Sequence, residues 1–96
     1  MPLYVMIGRD GPEGPERRRA HREEHLARLR PLADGGRVRF AGPLLDTRDE
    51  PCGSVIVFEA DDLEAAREVA ARDPYVRRGV FESHEVLATR QVFPSP

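Results

Sequence analysis

The chain has 96 residues, of which 40% are hydrophobic and 33% are charged, and its formal net charge is −2. This size and composition predict one globular domain, residues 1–96, and the balanced charge argues against a nucleic-acid partner. All fifteen basic residues are arginine, so no lysine is present to form a Schiff base. A single cysteine, Cys52, excludes an intrachain disulfide.

The sequence contains no membrane-spanning or targeting pattern. No apolar run reaches the length of about eighteen residues that a transmembrane helix needs. The N-terminus opens directly into a strand pattern, without a charged region ahead of an apolar core. We therefore expect a soluble, cytoplasmic protein with no membrane partner.

Hydrophobic patterning and turn residues predict four strands and two main helices. The predicted strands cover residues 3–7, 38–42, 54–59 and 80–87. The first helix is predicted from residue 15 or 16 to 34, and the second from 63 to about 72. Between these elements, residues 8–15 and 44–53 are predicted as loops, and residues 91–93 as a short extra strand. Asp73-Pro74 is typical of a cap followed by a first helical residue, and predicts a further turn up to Gly79.

The order β-α-β-β-α-β predicts a ferredoxin-like α+β fold, an antiparallel sheet with both helices on one face. Both faces of the sheet are apolar: in the first strand Leu3, Val5 and Ile7 point one way, and Tyr4 and Met6 the other. Helices cover only one face. We expect a second copy of the chain to cover the face of Tyr4 and Met6, giving a homodimer through the open sheet face.

His25 is the leading candidate for chemistry. Leu29 and Leu32 follow it at helical spacing, so it lies on the apolar stripe of the first helix. An imidazole that points inward can exchange a proton near neutral pH. The alternative is a core histidine satisfied by one hydrogen bond, which is the commoner role of a buried histidine.

Asp73, at the end of the second helix, is the predicted partner of His25. The two helices are neighbours in this fold, so the side chains can meet near the edge of the sheet. The carboxylate would fix the tautomer of the ring and favour the imidazolium, while the other ring nitrogen faces substrate. The alternative role is a helix cap, and one aspartate can serve both.

Other polar residues of the first helix suggest a binding surface. Arg18 and Arg22 lie on the side of His25, and one of them could bind the carboxylate of an anionic ligand. His21 precedes His25 by one turn, but further zinc ligands do not stand out, so we expect no metal. The glycine-rich segment 8–14 lacks the spacing of a phosphate loop, so we expect no cofactor.

The chain resembles the YciI-like proteins in an ordered set of motifs that covers nearly its whole length. The motifs are Arg22-Glu23-Glu24-His25-Leu26-Ala27-Arg28-Leu29, Ala41-Gly42-Pro43, Gly53-Ser54, Leu63-Glu64-Ala65-Ala66, Asp73-Pro74-Tyr75-Val76, Gly79-Val80-Phe81-Glu82 and Val92-Phe93.

The resemblance implies a dimeric α+β barrel similar to muconolactone isomerases, with an active site formed by the histidine and aspartate that match His25 and Asp73. It does not imply a particular substrate; where chemistry is known in the family, it is cofactor-free proton abstraction and elimination on small unsaturated acids. We expect Ser54 and Tyr75, which lie within these motifs, to bind substrate together with the basic residues Arg18, His21 and Arg22.

Two features depart from the family pattern. The loop 44–53 is shorter than usual and carries Asp46, Asp49 and Glu50 close to the expected pocket. His21 occupies a position that is often apolar in relatives.

Three functions follow from this sequence. The first is a small cofactor-free enzyme for isomerisation, elimination or hydrolysis of a small carboxylic acid. The alternative is a non-catalytic small-molecule-binding or sensor dimer that uses the same pocket. A purely structural dimer is less attractive, because it would not use the polar pair His25 and Asp73.

Overall fold

A four-stranded antiparallel sheet and three helices make up the computed structural model, which describes the whole chain, Met1–Pro96. The strands are β1 Leu3–Asp10, β2 Val38–Leu45, β3 Pro51–Glu59 and β4 Phe81–Thr89; the helices are α1 Gly14–Asp34, α2 Leu63–Ala71 and α3 Pro74–Arg77. The strand order is β2-β3-β1-β4, and all neighbours are antiparallel. The predicted ferredoxin-like α+β fold, the fold of the dimeric α+β barrel proteins, is confirmed.

The core lies between the sheet and the helices. Tyr4 pairs with Phe58 and Met6 with Ile56 across β1 and β3, and all four are buried in one cluster with Ala66 of α2. The expectation that Tyr4 and Met6 lie on the open face is therefore wrong. Alternation in a strand separates two sets of side chains, but it does not tell which set the helices cover.

The opposite face of the sheet is apolar and is not covered by this chain. Val5 pairs with Val57 and Ile7 with Val55, and all four are only partly buried. Phe40 lies opposite Val57 on β2 and is 60% exposed. A continuous apolar surface of this kind marks an interaction site.

The strands extend further than predicted, which shortens the acidic loop. β2 runs on to Leu45 and β3 begins at Pro51, so only residues 46–50 form the turn. The Asp46 carboxylate accepts the backbone N–H groups of Arg48 at 2.8 Å and Glu50 at 3.1 Å, which closes the turn. Pro43 is tolerated because β2 is an edge strand, where a missing N–H need not break a ladder.

Helices α2 and α3 begin at aspartate side-chain caps, whereas α1 has none, and the chain after β4 is irregular. The Asp62 carboxylate caps α2 by accepting the N–H of Ala65 at 2.8 Å. The predicted short strand at residues 91–93 does not form. None of the helices is both long enough and apolar enough to cross a membrane.

Candidate functional site

A cavity of about 520 Å³ opens between α1 and the strands β2 and β3, with α3 at one end. Four lining residues come from one stripe of α1: Arg18, Arg22, His25 and Leu29. Their spacing of four, three and four residues keeps them on one face of the helix. The volume is that of a site for a small molecule.

His25 is held by Asp73 at the wall of this cavity. Its Nδ1 lies 2.9 Å from Asp73 Oδ1, and the two residues are only 8% and 2% exposed. Because an ionised carboxylate only accepts hydrogen bonds, Nδ1 donates to Asp73, and whenever the ring is neutral its lone pair lies on Nε2.

The second ring nitrogen of His25 is open to the cavity. Nε2 has no hydrogen-bond partner within the chain, whereas every buried side-chain nitrogen or oxygen in the protein has one. Nε2 is therefore not fully buried, and His25 lines the cavity. A lone pair on an accessible nitrogen, with the ring fixed from behind, can accept a proton from a bound molecule.

Asp73 has two structural tasks. Its Oδ1 accepts the Nδ1–H of His25 and also the backbone N–H of Tyr75 at 2.8 Å, which caps α3. The cap fixes the carboxylate relative to the backbone, so the start of α3 determines where the His25 ring stands.

Tyr75 connects the histidine to the arginine cluster. Its ring stacks on the imidazole of His25, with centroids 3.9 Å apart and planes 3° apart. Its hydroxyl donates to the carbonyl oxygen of Arg18 at 3.4 Å. Burial raises the pKa of the Tyr75 phenol, an effect that the charges of Arg18 and Arg22 partly oppose. The phenol therefore stays protonated at neutral pH.

Residues 2–90 match the YCII-related domain family. The chain belongs to this family. It is 40% identical to Protein YciI from Escherichia coli O6:H1, over 95% of this chain and 99% of that protein. It is 38% identical to an uncharacterised protein from Haemophilus influenzae, over 94% of this chain and 98% of that protein. The predicted resemblance to YciI-like proteins is confirmed.

A solved structure of similar fold shows a small-molecule site. It is 5-chloro-2-hydroxyhydroquinone dehydrochlorinase (TftG) from Burkholderia phenoliruptrix AC1100, in complex with 2,5-dihydroxybenzoquinone. The TM-score is 0.80 and the identity 26%, over 92% of this chain and 93% of TftG. Family and fold together support a role for this YCII-related chain in binding or converting a small molecule.

Arg18 of the YCII-related chain is engaged by an internal carboxylate. Its Nε donates to Asp10 Oδ2 at 2.6 Å and its Nη2 to Asp10 Oδ1 at 2.8 Å. Nη2 also contacts the carbonyl oxygen of Gly53 at 2.7 Å and Ser54 Oγ at 3.0 Å. Nε and Nη2 of Arg18, which were predicted to be available to a ligand carboxylate, therefore bind Asp10 instead.

Arg22 and Arg19 also line the cavity, and neither has an acidic side chain within 4.0 Å. Glu50 reaches the cavity from the turn between β2 and β3. The cavity therefore combines two unpaired guanidinium groups with one carboxylate at its rim.

His21 does not reach the cavity. It is not among the residues that line the cavity, and its Nδ1 lies 3.9 Å from Glu24 Oε1 instead. No group of three or more histidine, cysteine, aspartate and glutamate side chains is arranged to hold a metal ion.

Sequence reasoning missed Asp10 and Arg19. Asp10 lies in the segment 8–15 that its glycines and prolines predict as a loop, whereas β1 continues to Asp10. Arg19 follows Arg18 directly in α1, but only Arg18 and Arg22 were predicted to lie on the side of His25. No sequence pattern in the glycine-rich segment 8–14 predicts the ion pair between Asp10 and Arg18.

Proposed function

We propose that this YCII-related protein is a small cofactor-free enzyme in which His25 transfers a proton to and from a small anionic substrate. Asp73 orients the ring and stabilises the imidazolium that forms. The observation that carries the proposal is the 2.9 Å contact between His25 Nδ1 and Asp73 Oδ1, with Nε2 open to a cavity of about 520 Å³.

The chemistry that fits this arrangement is isomerisation or elimination. His25 Nε2 takes a proton from an acidic C–H of the substrate, and the electron pair of that bond moves into the conjugated system. Return of the proton at another carbon completes an isomerisation. Departure of a leaving group as an anion, with formation of a double bond, completes an elimination. Hydrolysis would require His25 to activate a water molecule instead.

The substrate is expected to be a small unsaturated anion. Arg22 and Arg19 bring positive charge to the cavity without an internal partner, so a carboxylate can bind them. Arg18, Ser54 and Tyr75 form the rest of the binding surface. TftG, a dehydrochlorinase that binds a hydroxylated quinone, supports elimination on a small ring.

The protein is also proposed to act as a homodimer. The face that contains Val5, Ile7, Val55 and Val57 is apolar, and no helix of this chain covers it. A second copy related by a two-fold axis would bury the same residues of both chains, as the dimeric α+β barrel fold leads us to expect.

A thermal-shift screen tests the proposal. The panel contains small unsaturated and halogenated carboxylic acids and hydroxylated quinones, with saturated acids as controls. We expect stabilisation by members of the first group, followed by halide release, or by uptake of deuterium from solvent as seen by NMR. Ligands that stabilise the protein but are never converted would favour the alternative, a binding or sensor dimer.

A further inference from the structure

Arg18 makes more side-chain hydrogen bonds than any other basic residue that lines the cavity. Its side chain is 11% exposed and that of Asp10 only 6%. Nε and Nη2 together donate to both oxygens of Asp10, to the carbonyl oxygen of Gly53 and to Ser54 Oγ. The guanidinium plane is therefore fixed from one side by the end of β1 and the start of β3.

Two aromatic rings flank the same guanidinium. The Arg18 Cζ atom lies 5.1 Å from the centroid of Tyr75 and 5.8 Å from that of Phe81. Such contacts stabilise a cation and restrict its rotation. Because Asp10 balances the charge, Arg18 can remain in place without a ligand.

One nitrogen of Arg18 remains free. Nη1 has no hydrogen-bond partner in the chain, whereas every buried side-chain nitrogen in the protein has one. Nη1 is therefore accessible, and Arg18 lines the cavity. A ligand carboxylate needs two adjacent nitrogens for bidentate binding, and both pairs that Arg18 offers include a nitrogen already bound to Asp10.

We infer that Asp10 is a positioning residue that turns Arg18 into a donor for a single charged oxygen, through Nη1. The inference rests on the proposed function: the oxygen is the phenolate or enolate oxygen that carries negative charge when His25 removes the proton. The substrate class is therefore a small ring whose acidic position is conjugated to a hydroxyl or carbonyl oxygen, and not a simple carboxylate at this end of the cavity.

The geometry of α1 suits this division of roles. Arg18 and His25 are seven residues apart, which places them on one face about 10 Å apart along the helix axis. A small ring between them has its acidic position at His25 and its oxygen at Arg18. As the proton moves to Nε2, the electron pair delocalises onto that oxygen, where a donor already in place needs no reorganisation. Arg22, which is unpaired, remains available for a carboxylate.

Two probes that share one ring test the inference by binding alone. 4-Nitrophenol, once ionised, presents one charged oxygen, whereas 4-nitrobenzoate presents a carboxylate. Their dissociation constants are measured by calorimetry, and the apparent pKa of bound 4-nitrophenol by its absorbance. The variants are Arg18→Lys, which keeps a charge for Asp10 but removes Nη1, and Asp10→Asn, which releases Arg18. Arg22→Gln and the remote exposed Arg67→Gln are the controls.

Arg18→Lys is expected to weaken 4-nitrophenolate about tenfold, since one hydrogen bond to a charged group is lost, and to raise the pKa of the bound phenol. The dissociation constant of 4-nitrobenzoate should change by less than about threefold. Arg22→Gln should show the opposite preference, and Arg67→Gln no change.

Asp10→Asn is expected to tighten 4-nitrobenzoate, because the freed fork of Arg18 can then bind a carboxylate. A gain of affinity cannot result from misfolding. Equal loss of both probes in Arg18→Lys, unchanged 4-nitrobenzoate affinity in Asp10→Asn, or no binding of 4-nitrophenolate to the unaltered protein would each overturn the inference. None of these outcomes depends on turnover, so the role of His25 is judged separately.

Discussion

The imidazole of His25 lies flat against the phenol ring of Tyr75, with ring centroids 3.9 Å apart and planes inclined by only 3°. Together with the hydrogen bond to Asp73, this stack restrains the ring both in its plane and perpendicular to it. The three residues come from α1 and from the first turn of α3, so the packing of these two helices determines how the histidine faces the cavity.

Tyr75→Phe should keep the stack and change the pH dependence of stability. Burial raises the pKa of the Tyr75 phenol, so the unfolded chain ionises first as the pH rises. The stability that this group contributes is present below the ordinary phenol pKa of about 10 and is lost as the pH rises towards the folded-state value. Urea unfolding from about pH 8 to about pH 11 should show a steeper loss in the unaltered protein than in Tyr75→Phe. Parallel curves would contradict this.

Asp73→Asn should separate the cap from the chemistry. Asparagine caps a helix about as well as aspartate, so the free energy of unfolding should fall by less than about 1 kcal/mol. Turnover should fall at least about tenfold, because the charge that stabilises the imidazolium is lost. Asp73→Ala leaves the donors of His25 and Tyr75 without an acceptor, at about 1–3 kcal/mol each. If Asp73→Asn retains full turnover, Asp73 is only a cap.

Gly8→Ala should disturb the site through Phe81, on the face of the sheet that the helices cover. A Cβ atom at Gly8 would lie 2.6–2.7 Å from three ring atoms of Phe81, and Phe81 packs edge-on against Tyr75. We expect a loss of about 1–3 kcal/mol and weaker ligand binding, measured by thermal unfolding with and without ligand. Gly11→Ala, whose nearest contact would be 3.4 Å, is the control; an equal effect there would argue against the role of Phe81.

Val57→Asp should prevent dimer formation. Val57 lies on the open apolar face, opposite Val5 and Phe40, where a charge would be buried by a second copy at high cost. Light scattering should give about twice the 10.8 kDa chain mass for the unaltered protein and the single chain mass for Val57→Asp. Arg67→Asp, on the exposed side of α2, should remain dimeric. A monomeric unaltered protein would remove the proposed interface.

The order of elements and the proximity of α1 to α3 could be predicted from the sequence, because hydrophobic period and the Asp73-Pro74 cap are local signals. The assignment of sheet faces could not, since alternation in β1 distinguishes Tyr4 from Val5 without telling which one the helices cover. The pairing of Asp10 with Arg18 was equally hidden. It depends on β1 continuing past Gly8 to Asp10. The glycine lets the Phe81 ring approach the strand closely, but in the sequence a glycine at this position predicts a loop.

The most direct test of the proposed function is proton transfer by His25→Gln, measured as solvent deuterium incorporation or product formation with a ligand found by the screen. Glutamine is a good helix former and can still donate a hydrogen bond to Asp73, so folding and ligand affinity should be retained. Because an amide does not titrate in this range, proton transfer should be lost altogether. If the folded variant keeps the activity of the unaltered protein, His25 is not the proton-transferring group and the proposed function is wrong.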